Sequence, residues 1–533
     1  LTIWGCLLTH RTDTIVAPTS RGFAQWRGAA VAAVFALSLS SVRASAQDTE
    51  PETSSSNGET SGRRKWSPQE EHTPPVPDES LAIRVALEEL GILAAGTGYY
   101  FLQHEVNSLD WTYDYSWATL EAKLVGDAYS FDTNIFTTNT LAHSGAGTLY
   151  YIAARGNYLS PLESLGVGFL SSAVWEIFAE FRERISINDQ IVTPIGGFAF
   201  GEAMTQVGRL FMRGCPSTTF SILSAVFAPS ERLHRAIDGT DVARARYCDA
   251  NGFAARDDYL VRMGLGASLD GKNGRAWGLG FGEIRVMDVP RNQTVQEPWR
   301  SFADGGIAEL GVRVEAAPDE MREVDIHARG SLFGLAYRDV ASRTTGVLAL
   351  GAGIGYSQRR YLPAPAPLDP FFVIEAPALL AHWRRDFREH RLEVGLVAGG
   401  AFGEVGVFAL DRYLEEHDRS LLTPVAANRG YNHGMGLTMS PHVRWSSHVH
   451  ELWVGGRVDR LWAIRDKIGD ELGSSPLKSH EARRRLRVAL SVGTDEQWRF
   501  RVEGDFLQRI GTLGDFERKR MQLTWTGGLE GRF

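Results

Sequence analysis

The chain has 533 residues, 43% of them hydrophobic and 23% charged, with 56 glycines and a formal net charge of −8. The acidic balance argues against nucleic acid as a partner. A mean hydropathy of −0.18 argues against a helical membrane protein but not against a β-barrel, where only about half of each strand faces lipid.

Residues 1–46 read as an export signal. Arg21 and Arg27 precede an apolar core from Gly28 to Leu39, and Ala44-Ser45-Ala46 offers a small-residue cleavage site. The core is shorter than the ~20 residues that span a bilayer. Residues 1–20, ahead of the positive region, fit an over-extended start. Residues 47–80 are rich in Ser, Glu, Thr and Pro, cannot bury a core, and read as a disordered periplasmic linker.

Residues 81–240 read as a helical domain of unknown function. Its apolar segments run from Leu90 to Leu102, Leu141 to Ala154, Leu165 to Phe178, Ile195 to Met204 and Phe220 to Phe227. His143, Glu176, Glu180 and Glu202 interrupt or border them, which favours a cluster that buries itself, in the periplasm or a barrel lumen, over transmembrane helices. Thr193-Pro194 predicts a helix start, an N-cap followed by proline at the first helical position. Gly197 and Gly201 would let another backbone approach closely. Cys215 and Cys248 are expected as free thiols, with a bridge as the alternative in an oxidising compartment.

Residues 257–533 change period. Tyr259, Val261, Met263, Leu265, Ala267 and Leu269 alternate with polar or small residues, as do Ala308, Leu310, Val312 and Val314. Leu486, Val488 and Leu490 alternate with Arg485, Arg487 and Ser491, with a slip read at Ala489. Trp498, Phe500 and Val502 alternate with Arg499, Arg501 and Glu503. The repeated charge in one phase could not sit in a dry sandwich core. Met521, Leu523, Trp525, Leu529 and Phe533 form the last such segment. The fold class expected is α+β: an N-terminal helical domain followed by an antiparallel transmembrane β-barrel of about 12 strands, in the outer membrane of a Gram-negative-type bacterium. The helical part would plug the lumen or act as a scaffold. Outer-membrane lipid is one expected partner, and the barrel-assembly machinery, reading the strand that ends in Phe533, is another.

The densest motifs lie between Asn139 and Glu202. Asn139, His143, Gly147, Tyr151 and Arg155 are four apart and would form one row on a helix. Ser172, Trp175-Glu176 and Glu180 follow, then Ser186-Ile187-Asn188-Asp189, a polar turn able to cap a helix, then Thr193, Gly196-Gly197 and Gly201-Glu202. This order resembles the domain of unknown function 3943 family of bacterial envelope proteins, over about residues 90–215, with Phe131 to Asn134 also fitting. The family often has proline after the histidine and a second histidine beyond it, where Ser144 and Ala146 stand here. The resemblance implies an envelope location and carries no activity.

The polar residues admit two readings. In the favoured one, Asn139, His143, Tyr151, Arg155, Trp175, Glu176, Glu180, Asn188, Asp189 and Glu202 form a buried network that locks the helices. In the alternative, a lipid-modifying enzyme uses His143 as a general base oriented by Glu176 or Asp189, with Arg155 gripping an anionic head group. A third reading is a surface binding platform built on loops around Leu410 to Asn432. The region contains no His-x-x-x-His or Glu-x-x-His spacing, so neither metal nor cofactor is expected. Gly351 to Gly355 imitate a dinucleotide fingerprint but sit inside a strand pattern.

Overall fold

The computed structural model describes residues 78–107, 112–126, 128–240, 247–254, 258–271, 274–290, 293, 296–318, 320–361, 368–464, 477–493 and 497–533. The expected export signal, and the expected linker up to residue 77, lie outside the described residues.

The helical unit comprises α1 (Asp78–Asn107), α2 (Trp117–Val125), α3 (His143–Gly156), α4 (Pro161–Val174), α5 (Gly197–Arg213), α6 (Thr218–Phe227) and α7 (Pro229–Asp238). Strands β1 (Tyr129–Ser130) and β2 (Ile185–Ser186) form a small parallel pair within it. Local chemistry sets the ends. The Ser116 hydroxyl accepts from Thr119 N at the start of α2, and Gly126, at φ +95°, closes it in the left-handed region that glycine adopts freely. Ser160 and Glu163 form a reciprocal capping box on α4, with Pro161 in its first turn.

Three π-helical turns interrupt this part: Thr138–Ala142, Trp175–Ala179 and Val192–Gly196. The last corrects the expected start at Thr193-Pro194. The chain is already helical from Asp189, where Ser186 Oγ accepts from Asp189 N (3.2 Å). Pro194 falls inside the run, and because it lacks an N–H the ladder widens into a π turn there. The close approach expected at Gly197 is present. A Cβ on Gly147 would lie 1.7 Å from Thr193 O, and one on Gly197 2.3 Å from the Gly147 carbonyl carbon. Cys215 and Cys248 are joined in a disulfide, which corrects the expectation of free thiols. Cys215 N also donates to Gly252 O (2.9 Å), so backbone pairing brings the two cysteine segments together.

The barrel strands are β3 (Asp258–Asp270), β4 (Ala276–Met287), β5 (Trp299–Phe302), β6 (Ile307–Ala317), β7 (Glu320–Asp339), β8 (Thr344–Arg360), β9 (Leu368–Phe387), β10 (His390–Gly406), β11 (Tyr431–Ser446), β12 (His450–Ala463), β13 (Ser479–Gly493), β14 (Trp498–Leu513) and β15 (Phe516–Arg532). All but β5 form a closed antiparallel ring of twelve, β15 meeting β3 from Arg532↔Arg262 to Thr524↔Asp270. β5 extends the wall beside β7, with Trp299 opposite Tyr337. The β3 start and the β15 end share one rim with the short β7–β8, β9–β10 and β11–β12 connections. The other rim carries the long β10–β11 loop, with α8 (Leu410–Leu414) and α9 (Pro424–Arg429). Trp299, Trp383, Phe387, Trp445 and Trp498 are exposed near the first rim, as an aromatic girdle requires. The architecture is that of an outer-membrane β-barrel.

The lumen is filled by charge. Arg485 on β13 pairs across the ring with Asp325 on β7 (2.6 Å), Arg285 on β4 with Glu393 on β10 (2.9 Å), and Arg457 on β12 with Glu375 on β9 (2.6 Å). A cavity of about 200 Å³ remains among such residues as Arg262, Glu283, Arg313 and Arg329. The slip read at Ala489 is corrected: β13 pairs with both neighbours in unbroken register, and Ala489 takes a buried lumen position as a small residue.

The helical unit lies on the other side of the wall. Phe136, Val192, Ala199 and Ala203 pack with Ala308, Ala328, Ile354, Tyr356, Phe372, Ile374, Phe402 and Tyr431. These strand residues alternate with the lumen-facing Glu309, Arg329, Gly355 and Glu375, so they belong to the outward phase. Farther along α5, Val207, Leu210 and Phe211 cover Val261, Ile284 and Val286 of β3 and β4. The expected lumen plug is therefore corrected. The helices bury the outer wall, and the barrel's own side chains occupy its interior.

Candidate functional site

The ten residues expected as one network fall into two clusters, because His143 and Tyr151, on the same regular helix α3, stand about two turns apart and meet different partners. Toward the first rim, Glu202 of α5 is fully buried. It accepts from Tyr151 OH (2.7 Å), Arg155 Nε (2.9 Å) and Gln206 Nε2 (2.7 Å). Arg155 also donates to Leu159 O (2.7 Å), so its guanidinium is held within the protein rather than free for a head group.

The second cluster forms where the helical unit meets the outer wall near the long-loop rim. His143 Nε2 lies 3.5 Å from Asp189 Oδ2. Asp132, on the segment after β1, completes the group: one ligand atom from each of Asp132, His143 and Asp189 lies within 4.8 Å of the others. Asn188 Nδ2 donates to Asp189 Oδ1 (2.9 Å), while Asn188 Oδ1 accepts from Asp132 N (2.8 Å) and from Ser186 Oγ (3.0 Å). Glu176 is used differently from expectation: its carboxylate accepts from Ser186 N (2.8 Å) and holds the turn. The carbonyls of Glu176 and Glu180 accept from Lys123 Nζ, at 2.5 and 2.8 Å, which ties α2 to the π turn at Trp175–Ala179. Trp175 packs edge-on against Tyr100 of α1. Asn139 Nδ2 donates to Tyr431 OH (2.9 Å).

The barrel wall contributes residues that the sequence reading did not select. His433 Nε2 donates to Asp132 O (3.1 Å) and its Nδ1 lies 3.5 Å from Glu404 Oε1. Tyr431 OH donates to Asn134 O (2.7 Å). Their signal was present in the pattern. Glu404 shares a phase with Val394, Leu396 and Phe402, and His433 shares one with Met435 and Leu437, so each is a polar residue in an otherwise apolar outward row. A polar cavity of about 290 Å³ adjoins, lined by Asp132, Glu180, Ser186, Thr423, Asn432 and His433 among others. Such a group can trade a proton between His143 and Asp189, bind a cation, or simply lock helix to wall.

Residues 128–230 match the family described as "Domain of unknown function (DUF3943)". No curated protein matches the sequence. Among solved structures, the chain is similar to the beta domain of the Bordetella autotransporter Brka, at 9% identity over 52% of this chain and 99% of that one, with a TM-score of 0.21. It is also similar to the translocator domain of the autotransporter NalP from Neisseria meningitidis, at 10% identity over 59% and 98%, TM-score 0.21. A third likeness is to an outer-membrane channel from Pseudomonas putida, at 11% identity over 52% and 93%, TM-score 0.23.

Proposed function

We propose that this protein is an outer-membrane scaffold in which a lipid-embedded helical unit rides on the outer wall of a barrel that serves as a platform rather than a channel. The observation that carries this reading is the burial of the barrel's apolar outward phase beneath helices that are apolar on both sides. Leu87, Leu90, Phe101 and Leu102 of α1, with Phe169 and Leu170 of α4, are exposed on the far side of the unit. The run Pro161–Ala179 is long and apolar enough to cross a membrane. α1, with 30 residues, would extend ~45 Å at 1.5 Å per residue, beyond the ~30 Å hydrocarbon core. Water against such a surface would be unfavourable; acyl chains would cover it.

Carbene photolabelling from a lipid-dissolved reagent, on the protein in outer-membrane vesicles, tests the reading. Label is expected on Leu90 and Leu170 as well as on Leu437 of the bare barrel wall. Label confined to the barrel strands would overturn it.

A second reading, a lipid-modifying enzyme, is supported by the His143–Asp189 pair beside a polar cavity at the helix–wall seam. Mass spectra of outer-membrane lipids from cells carrying His143→Ala or Asp189→Asn separate the two. Unchanged lipids with reduced folded yield favour the scaffold, and altered lipids with normal yield favour the enzyme.

A further inference from the structure

Many buried carboxylates of this protein are neutralised by guanidinium groups; those at the seam, like Glu89 and Glu176 of the helical unit, are not. Glu202 has Arg155, Glu231 has Arg209 and Arg235, Glu375 has Arg329 and Arg457, and Asp505 has Arg485. Asp132, Asp189 and Glu404 have no guanidinium or ammonium within ion-pair distance among the described residues; His143 and His433 are their basic neighbours. Glu404 has no exposure, yet its Oε2 lacks a hydrogen-bond partner. Its Oε1 reaches only long contacts, 3.5 Å to Asn188 Nδ2 and 3.5 Å to His433 Nδ1. His143 Nε2 is likewise without a hydrogen-bond partner and faces Asp189. A buried carboxylate left this way is costly unless something positive joins it.

We propose that Asp132, His143 and Asp189 bind one divalent transition-metal cation, with Glu404 turned toward the site from the barrel wall. An imidazole with two carboxylates is a mixed nitrogen and oxygen set, suited to zinc or manganese rather than to calcium, which takes oxygen ligands. The surroundings suit the role. Asn188 and Ser186 hold Asp189 through Oδ1 and its backbone N–H, leaving Oδ2 toward His143, as residues behind a metal ligand do. The three ligands come from three separate segments, so the ion would fasten α3, the Ser186–Asp189 turn and the segment after β1 to one point, directly against β10 and β11. The 290 Å³ cavity beside it leaves room for water on the ion. The proposal does not depend on the scaffold reading, since a cation could serve a structural or a chemical site.

The test uses full-length protein in detergent micelles, stripped with chelator and dialysed against zinc or manganese. Elemental analysis by mass spectrometry is expected to find one ion per chain. Calorimetry should show binding weakened by at least about tenfold in Asp189→Asn and in His143→Gln. Heat-modifiable gel mobility reports whether each variant is folded. Should the variants fail to fold, electron spin-echo modulation on the manganese-loaded unmutated protein replaces them, and an imidazole nitrogen coupling is the expected signal. No uptake by the unmutated protein, undiminished uptake by folded variants, or absence of the imidazole coupling would each overturn the site, and protons alone would then balance these carboxylates.

Discussion

Glu202 shows how much a single buried side chain carries in this fold. It gathers Tyr151, Arg155 and Gln206 where α3, α5 and the barrel meet. Glu202→Gln would leave the Arg155 guanidinium buried without its counter-charge, a change that costs ~3–5 kcal/mol. Urea unfolding of the detergent-solubilised protein, followed by tryptophan fluorescence, is expected to shift to lower urea, with the unfolding free energy reduced by that amount. Gly147→Ala should be comparably harmful, because its methyl would meet the Thr193 carbonyl, whereas Gly98→Ala, with open space around it, should be neutral or mildly stabilising. The same titration checks both. That Arg155 and Glu202 would belong to a buried polar network was expected from the sequence, since charges inside apolar segments must find partners; that they pair with each other is seen only in the fold. Glu404 and His433 were not selected, although each breaks an apolar row, because their partners in the helical unit lie more than 200 residues away and nothing local names them.

Among the elements, α7 joins the first part of α1 to α5. Arg84 pairs with Asp238 (2.8 Å), His234 with Glu88 (2.6 Å), and Glu231 accepts from Arg209 (2.8 Å) and Arg235 (2.8 Å). Burial alone would raise the Glu231 carboxyl, but Arg209 and Arg235 outweigh it and hold it below the ordinary range. A folded-state pKa below the unfolded one adds stability above the unfolded value of ~4.3, and that stability is lost as pH falls through the folded value. Protection of the α7 amides, taken as exchange relative to the intrinsic rate at each pH, is therefore expected to fall on acidification below ~4.3 in the unmutated protein. Glu231→Gln should already exchange fast at neutral pH and lose that acid step. The helices themselves were readable from their apolar runs. The π turns were not, because a widened turn has no residue signature apart from a misplaced proline such as Pro194.

At the scale of the whole molecule, period-two alternation revealed the barrel because lipid and lumen impose opposite chemistry on successive residues. The count of about twelve strands agrees with the ring, and the inner phase is charged as read. The location of the helices was not legible: a helix apolar on both faces reads the same whether it fills a lumen or backs onto a wall. With cross-ring ion pairs such as Arg485–Asp325 in place, planar-bilayer recordings are expected to show no sustained conductance. Replacing Arg329, Arg457 and Arg485 by serine should open a measurable current by removing side chains that bridge the interior.

The seam also constrains assembly. Glu404 and His433 face away from the lumen, so a barrel inserted alone would present a carboxylate and an imidazole directly to acyl chains. The helices, delivered alone, would expose Asp189 and Glu202 to the same medium. Neither half is a tolerable solo passenger in the bilayer. Because the helices precede the strands in the chain, they can be waiting when β10 and β11 form, so that helix and strand are expected to enter the bilayer as one already mated body.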